Sequence, residues 1–219
     1  MKKWIISSIV VVALTVPGMA MPVIEFSPDP STAGNWNYNA DTRILSFDQD
    51  VAVDQGVSSN NDALVGAKVY LPSLKVSGSD GVYTLTPIGT PQIKITNAAG
   101  TKTYLTGTLG AGDLTTIGTV AGAYTSFQSD ITSVMITSQG QSLGSAALDL
   151  IATMTHPSLD LQFSLDGGNG AQFHTFKSMI DGGYSGSSGF SGAMSVPEPT
   201  SIALLGMGGI ALLRRYRKK

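Results

Sequence analysis

Short stretches of alternating apolar and polar residues recur along the chain, separated by clusters of Gly, Ser, Asn and Asp. Asn35-Trp36-Asn37-Tyr38-Asn39 sets its two aromatics on one face, and Arg43 to Phe47 continues the pattern, so each predicts a short strand. Ala63 to Leu71 is apolar and β-branched and predicts a strand that Pro72 ends. Val82 to Thr86 alternates cleanly behind the turn cluster Ser77 to Gly81. Gln92 to Thr96 and Thr101 to Gly107 flank Asn97-Ala98-Ala99-Gly100, whose glycine can take positive φ, and together they predict a β-hairpin. Ile131 to Thr137 and Leu159 to Leu165 add two further strands, the second followed by the turn residues Asp166 to Gly170. Ala146 to Met154 has helix-forming alanines, but Asp149 and its β-branched end favour a strand. Phe173 to Ile180 suits a strand or a short helix. The first stretch after Met21 is turn-rich at Ser27-Pro28-Asp29-Pro30 and Gly34, and the Gly/Thr-rich Leu109 to Gly122 shows no clear period.

Many short strands at hairpin spacing, with little helix, predict an all-β fold: an antiparallel β-sandwich, jelly-roll-like, over residues 21–180. Asp181 to Ser195 is nearly all Gly and Ser with isolated Tyr184, Phe190 and Met194, a composition that predicts a flexible linker.

The two ends of the chain follow other rules. Lys2 and Lys3 precede an apolar run from Trp4 to Val16, and Pro17-Gly18-Met19-Ala20 offers small residues, so residues 1–20 predict a signal peptide cut by signal peptidase after Ala20. At the other end, Val196-Pro197-Glu198-Pro199 cannot lie inside a helix. An uncharged run from Ser201 to Leu213 follows, then Arg214, Arg215, Arg217, Lys218 and Lys219. The run predicts a single transmembrane helix, shorter than the roughly 20 residues of a comfortable span, with the basic stop held on the cytoplasmic side.

Pro197, Glu198 and Pro199, the apolar run and the basic cluster together resemble the PEP-CTERM sorting signal, over residues 196–219. The resemblance implies export, transient anchoring in the inner membrane by the C-terminal helix and removal of the tail near Pro-Glu-Pro by an exosortase. It also implies a final place at the cell surface or in the extracellular matrix, in association with exopolysaccharide. It says nothing of the intervening domain.

Without its end signals the chain is clearly acidic. Of 13 basic residues, only Arg43, Lys68, Lys75, Lys94, Lys102 and Lys177 lie between them, against 14 of the 15 acids, from Glu25 to Asp181. That balance argues against nucleic acid as a partner. There are no cysteines, so the domain is held by its core and by no disulfide. Asp48, Asp50 and Asp54 sit close together with Asn60, Asn61 and Asp62 soon after, oxygen ligands of the kind calcium takes. The spacing is not that of an EF-hand, and solvated loop acids are the plainer account. No other cofactor is indicated.

Catalytic signals are scarce. The two histidines, His156 and His174, have no zinc-ligand spacing around them, and no nucleophile elbow stands out. The expectation is a protein that is not an enzyme, with a structural or adhesive role. A carbohydrate-binding module is the alternative, for which Trp36 would be a stacking platform unless it is a core aromatic, and a secreted hydrolase ranks last.

Overall fold

The computed structural model describes residues 22–28, 36–48, 51–57, 59–117, 124–155, 157–165 and 176–196. The expected signal peptide, the tail from Pro197 onward and both histidines lie outside them. Among the described residues, no helix is long and apolar enough to cross a membrane.

Among the described residues, fourteen strands and three short helices follow one another. The first half is all strand: β1 (Pro22–Pro28), β2 (Trp36–Asn39), β3 (Ile44–Phe47), β4 (Val51–Gly56), β5 (Lys68–Tyr70), β6 (Leu74–Ser79), β7 (Val82–Pro87) and β8 (Gln92–Thr96). Then come β9 (Thr103–Leu109), β10 (Gly112–Ile117), β11 (Tyr124–Ile136), α1 (Ser138–Gln141) and α2 (Ala146–Ala152). The chain continues through β12 (Leu159–Leu165), α3 (Phe176–Gly182), β13 (Gly186–Ser188) and β14 (Phe190–Ser195). The Gln92–Gly107 hairpin forms as its turn chemistry predicts, with Gly100 at φ 70°.

The sheet is antiparallel throughout, but its topology is a barrel with extra strands and not the expected jelly-roll sandwich. Eight strands close a ring in the order β11-β12-β14-β1-β4-β5-β8-β9. A six-strand arm, β10-β7-β6-β3-β2-β13, leaves from β11. The long strand β11 makes this branching physically feasible, because its two edges serve three partners. Thr125 to Ile131 pair with β12, while the opposite edge takes β10 over Tyr124 to Gln128 and β9 over Ile131 to Ile136. Between β9 and β10 the chain crosses from barrel to arm at Gly110 and Ala111, whose carbonyls the Ser129 hydroxyl holds at 2.9 and 3.3 Å. Alternation in sequence shows which face a strand buries but not which edge it pairs, so the branching was not legible there.

The stretch expected to be a linker, 181–195, instead ends α3 and then supplies two strands of the sheet. β13 ends the arm against β2, and one residue later β14 sits inside the barrel between β12 and β1. Its sparse large residues are the ones the fold uses: Phe190 and Met194 are buried in the core. The small residues are needed as well. A Cβ at Gly192 would lie 2.6 Å from the Phe26 ring and 2.7 Å from the Gln162 carbonyl oxygen, so only glycine fits between its neighbours.

Further local expectations change. Ala146–Ala152 is helix α2, because the Ser145 hydroxyl accepts the Leu148 N–H and caps it, while Ala147, Leu148 and Ile151 turn inward. Most of Ala63–Leu71 is loop, with only Lys68–Tyr70 as strand; Leu64 and Ala67 supply its apolar content to the core from turns. Ser27 and Pro28, read as the start of a turn, are instead the last residues of barrel strand Pro22–Pro28; the rest of that turn lies outside the described residues.

One core serves barrel and arm. Phe47 of the arm lies 5.3 Å from Phe163 and 5.1 Å from Phe190, both on barrel strands, and Phe127 stacks on Phe163 at 4.6 Å. Trp36 is fully buried in this core.

Candidate functional site

The end of the barrel from which β14 leaves is where the described structure meets the sorting residues. Ser195, the last residue of β14, is in register with Asp160 of β12 on one side and Pro22 of β1 on the other. Only Val196, half-buried, separates it from Pro197. Pro197, Glu198, Pro199, Arg214, Arg215, Arg217, Lys218, Lys219 and Ala20 themselves lie outside the described residues.

Helix α2 closes this same end. Ile24, two residues after Pro22, pairs with Gly56 at the end of β4. Asp62 lies directly over Gly56, where an added Cβ would come within 2.5 Å of its carboxyl carbon. The same carboxylate accepts the Ala147 N–H at 3.1 Å and the Leu64 N–H at 2.8 Å. Burial alone would push the Asp62 carboxyl up, but the Ser145 hydroxyl with the amides of Leu64, Ala147 and Ala146 outweighs it and holds the group below its ordinary value. One side chain therefore ties the β4 loop to the start of α2, whose exposed side carries Asp149 and Leu150.

Beside the exit, Asp160 faces Asp130 directly across the β11–β12 ladder. Partial burial, then the charge of Asp130 and a hydrogen bond to it, push the Asp160 carboxyl up. Like charges opposed in this way cost stability.

The outward face of the sheet is polar. In register across six neighbouring strands run Thr84, Asp113, Gln128, Gln162, Ala193 and Glu25. The small residues of β14 leave a shallow groove of about 280 Å³ lined by Glu25, Asp54, Gln162 and Ser191, among others. Of the three aspartates considered for calcium, Asp54 is exposed at this groove, whereas Asp48 follows β3 of the arm and accepts the Asn37 amide at 3.3 Å. Asp50 is outside the described residues. Among the described residues, no group of three or more His, Asp or Glu side chains is placed to hold a metal ion.

On the arm, the buried Tyr83 donates its hydroxyl to Asp181 of α3 at 2.9 Å, and Lys177 pairs with the other oxygen of the same carboxylate. Burial and this bond push the Tyr83 hydroxyl up to about 12. Sequence reasoning missed this triad, because Tyr83 and Asp181 are far apart in the chain and only the fold joins them.

Residues 195–218 match the family model of the PEP-CTERM protein-sorting motif. The chain thus carries a PEP-CTERM tail, the mark of an exported protein sorted by an exosortase. No curated protein and no solved structure matches the chain.

Proposed function

We propose that this protein is a surface or extracellular-matrix component with a structural or adhesive role alongside exopolysaccharide, and that it has no catalytic activity of its own. The observation that carries the reading is the join between fold and signal: the matched motif begins at Ser195, the last residue of a central barrel strand. Once the tail is cut, the product is a closed, acidic, cysteine-free barrel with a polar outer face. Such a surface stays soluble and monodisperse until it meets a partner.

In this reading signal peptidase acts after Ala20, and the Ser201–Leu213 run anchors the precursor in the inner membrane until the exosortase removes it. Cells lacking the exosortase should accumulate a membrane-extracted form larger by the tail. If Pro197→Ala with Pro199→Ala leaves both processing and surface display intact, the sorting reading fails.

A carbohydrate-binding role is the second reading. The groove at Glu25, Asp54 and Gln162 favours it, because carboxylates and amides recognise sugar hydroxyls. The burial of Trp36 counts against it, since that ring cannot stack on a sugar. A glycan array with the mature barrel separates the two: selective binding abolished by Gln162→Ala supports the second.

A further inference from the structure

We propose that the outward face of the arm around β2 binds an uncharged sugar through Asn37 and Asn39. This site gives the adhesive role a ligand class and rests on that reading. It shares no lining residue with the groove at Glu25 and Asp54.

The alternation Trp36-Asn37-Tyr38-Asn39 assigns the two faces of β2. Trp36 and Tyr38 are buried in the core, so Asn37 and Asn39 stand on the opposite, exposed face. Register fixes their neighbours. Asn37 lies between Ser187 of β13 and Ser46 of β3, and Asn39 pairs with Ile44. Ser185, just before β13, accepts the Ala40 N–H at 3.0 Å. These residues line a cleft of about 570 Å³. Sites for small ligands span roughly 300–1,000 Å³. Between the two serines, Gly186 lets β13 lie close on α3. A Cβ there would come within 2.6 Å of the buried Met179 side chain.

Both amides are held at one end and open at the other. Asn37 donates its Nδ2 to Asp48 at 3.3 Å, which leaves its Oδ1 to accept. Asn39 has the reverse arrangement: its Oδ1 accepts the Thr42 N–H at 3.0 Å, which leaves its Nδ2 to donate. Neither spare group has a partner among the described residues. The Ser46 hydroxyl already donates to the Asn37 carbonyl at 3.3 Å and can still accept. The Ser185 hydroxyl already accepts and can still donate. An acceptor and a donor thus stand two residues apart on one strand, a step of roughly 7 Å.

That pattern selects the occupant. Among the described residues, no side chain lining the cleft is charged at neutral pH, so an ionic ligand gains no ion pair there. Fixed donors and acceptors side by side call for a ligand that offers both at short spacing. Sugar hydroxyls do so, because each O–H both donates and accepts. The half-buried Ile44 adds an apolar contact for the C–H groups of a sugar ring. An extended peptide would instead add to a sheet edge through its backbone.

A glycan array of uncharged, anionic and cationic oligosaccharides, probed with the purified protein and three variants, tests this. The unaltered protein should bind uncharged sugars selectively. Asn39→Asp keeps the oxygen that the Thr42 N–H needs and replaces the spare donor with an acceptor. It should keep its melting temperature and bind about two- to tenfold more weakly, the effect of one hydrogen bond. Asn37→Ala should weaken binding to a similar extent, and Gln162→Ala, in the other groove, should leave it unchanged. Should either asparagine variant fail to fold, the other decides. Binding confined to charged sugars, or undiminished in the folded asparagine variants, would overturn the proposal. Loss with Gln162→Ala alone would also overturn it and would leave the groove at Glu25 as the sugar site. An array without any binding would overturn a sugar site on either surface. Retention of the unaltered protein in the matrix of producing cells tests the adhesive reading separately.

Discussion

Pro22, at the start of β1, faces Ser195, at the end of β14, across an antiparallel ladder. The last residues before the sorting motif are therefore not a spacer but the strand that closes the barrel. Hydrogen bonding to β12 and β1 on both edges makes β14 inaccessible to any protease that binds its substrate as an extended strand.

The mature product should accordingly end no earlier than Val196. Intact-mass measurement of the surface-released protein checks this. A terminus within Phe190–Ser195 would show that the barrel opens before it is cut.

Gly192→Val should destabilise the barrel by at least about 1–3 kcal/mol, the usual cost of forcing atoms into a packed site. The new side chain has to displace the Phe26 ring and the backbone of β12. Chemical denaturation of the mature domain gives the number, and an unchanged midpoint would contradict the placement of β14.

Asp62→Ala should cost about 0.5–2 kcal/mol, the range for losing a helix-terminal acceptor. Its folded-state value is depressed, so its contribution is present above the ordinary carboxylate value and is lost as pH falls through the folded value. The gap in melting temperature between the wild type and Asp62→Ala should therefore narrow on acidification.

The opposed pair at Asp130 and Asp160 has the opposite sign. Asp160 is raised in the folded state, so stability is greatest below its unfolded value and falls as pH rises through the folded one. Asp160→Asn should raise the melting temperature at neutral pH, by an amount worth less than about 1 kcal/mol because the pair is partly solvated. The advantage should vanish near pH 3. A variant less stable than wild type at pH 7 would refute this.

Tyr83→Phe removes one hydrogen bond between arm and α3 and should cost about 0.5–1.5 kcal/mol. Ultraviolet titration offers a second test. One tyrosine in the wild type should ionise only towards about 12, and that late phase should be missing in the variant.

Much of the chain was legible from its residues alone. Alternation located β2, β3, β7, β8 and β12, because a strand with one buried face must repeat every two residues. The Pro-Glu-Pro, apolar and basic order of the tail identified its sorting role, since a linear signal is read as a linear sequence. What depended on partners distant in the chain was decided only by the tertiary structure. Gly and Ser at 185–193 have the composition of a linker, yet β2 pairs with residues 186–188, β12 and β1 flank β14, and Gly192 is small because Phe26 crowds it. Ala146–Ala152 became helix because Ser145 caps it and the barrel end accepts Leu148 and Ile151. The meeting of Tyr83 with Asp181, of Asp62 with Ala147 and of Pro22 with Ser195 follows from which strand edges pair. That choice is set by the packing of the whole core, and local periodicity carries no record of it.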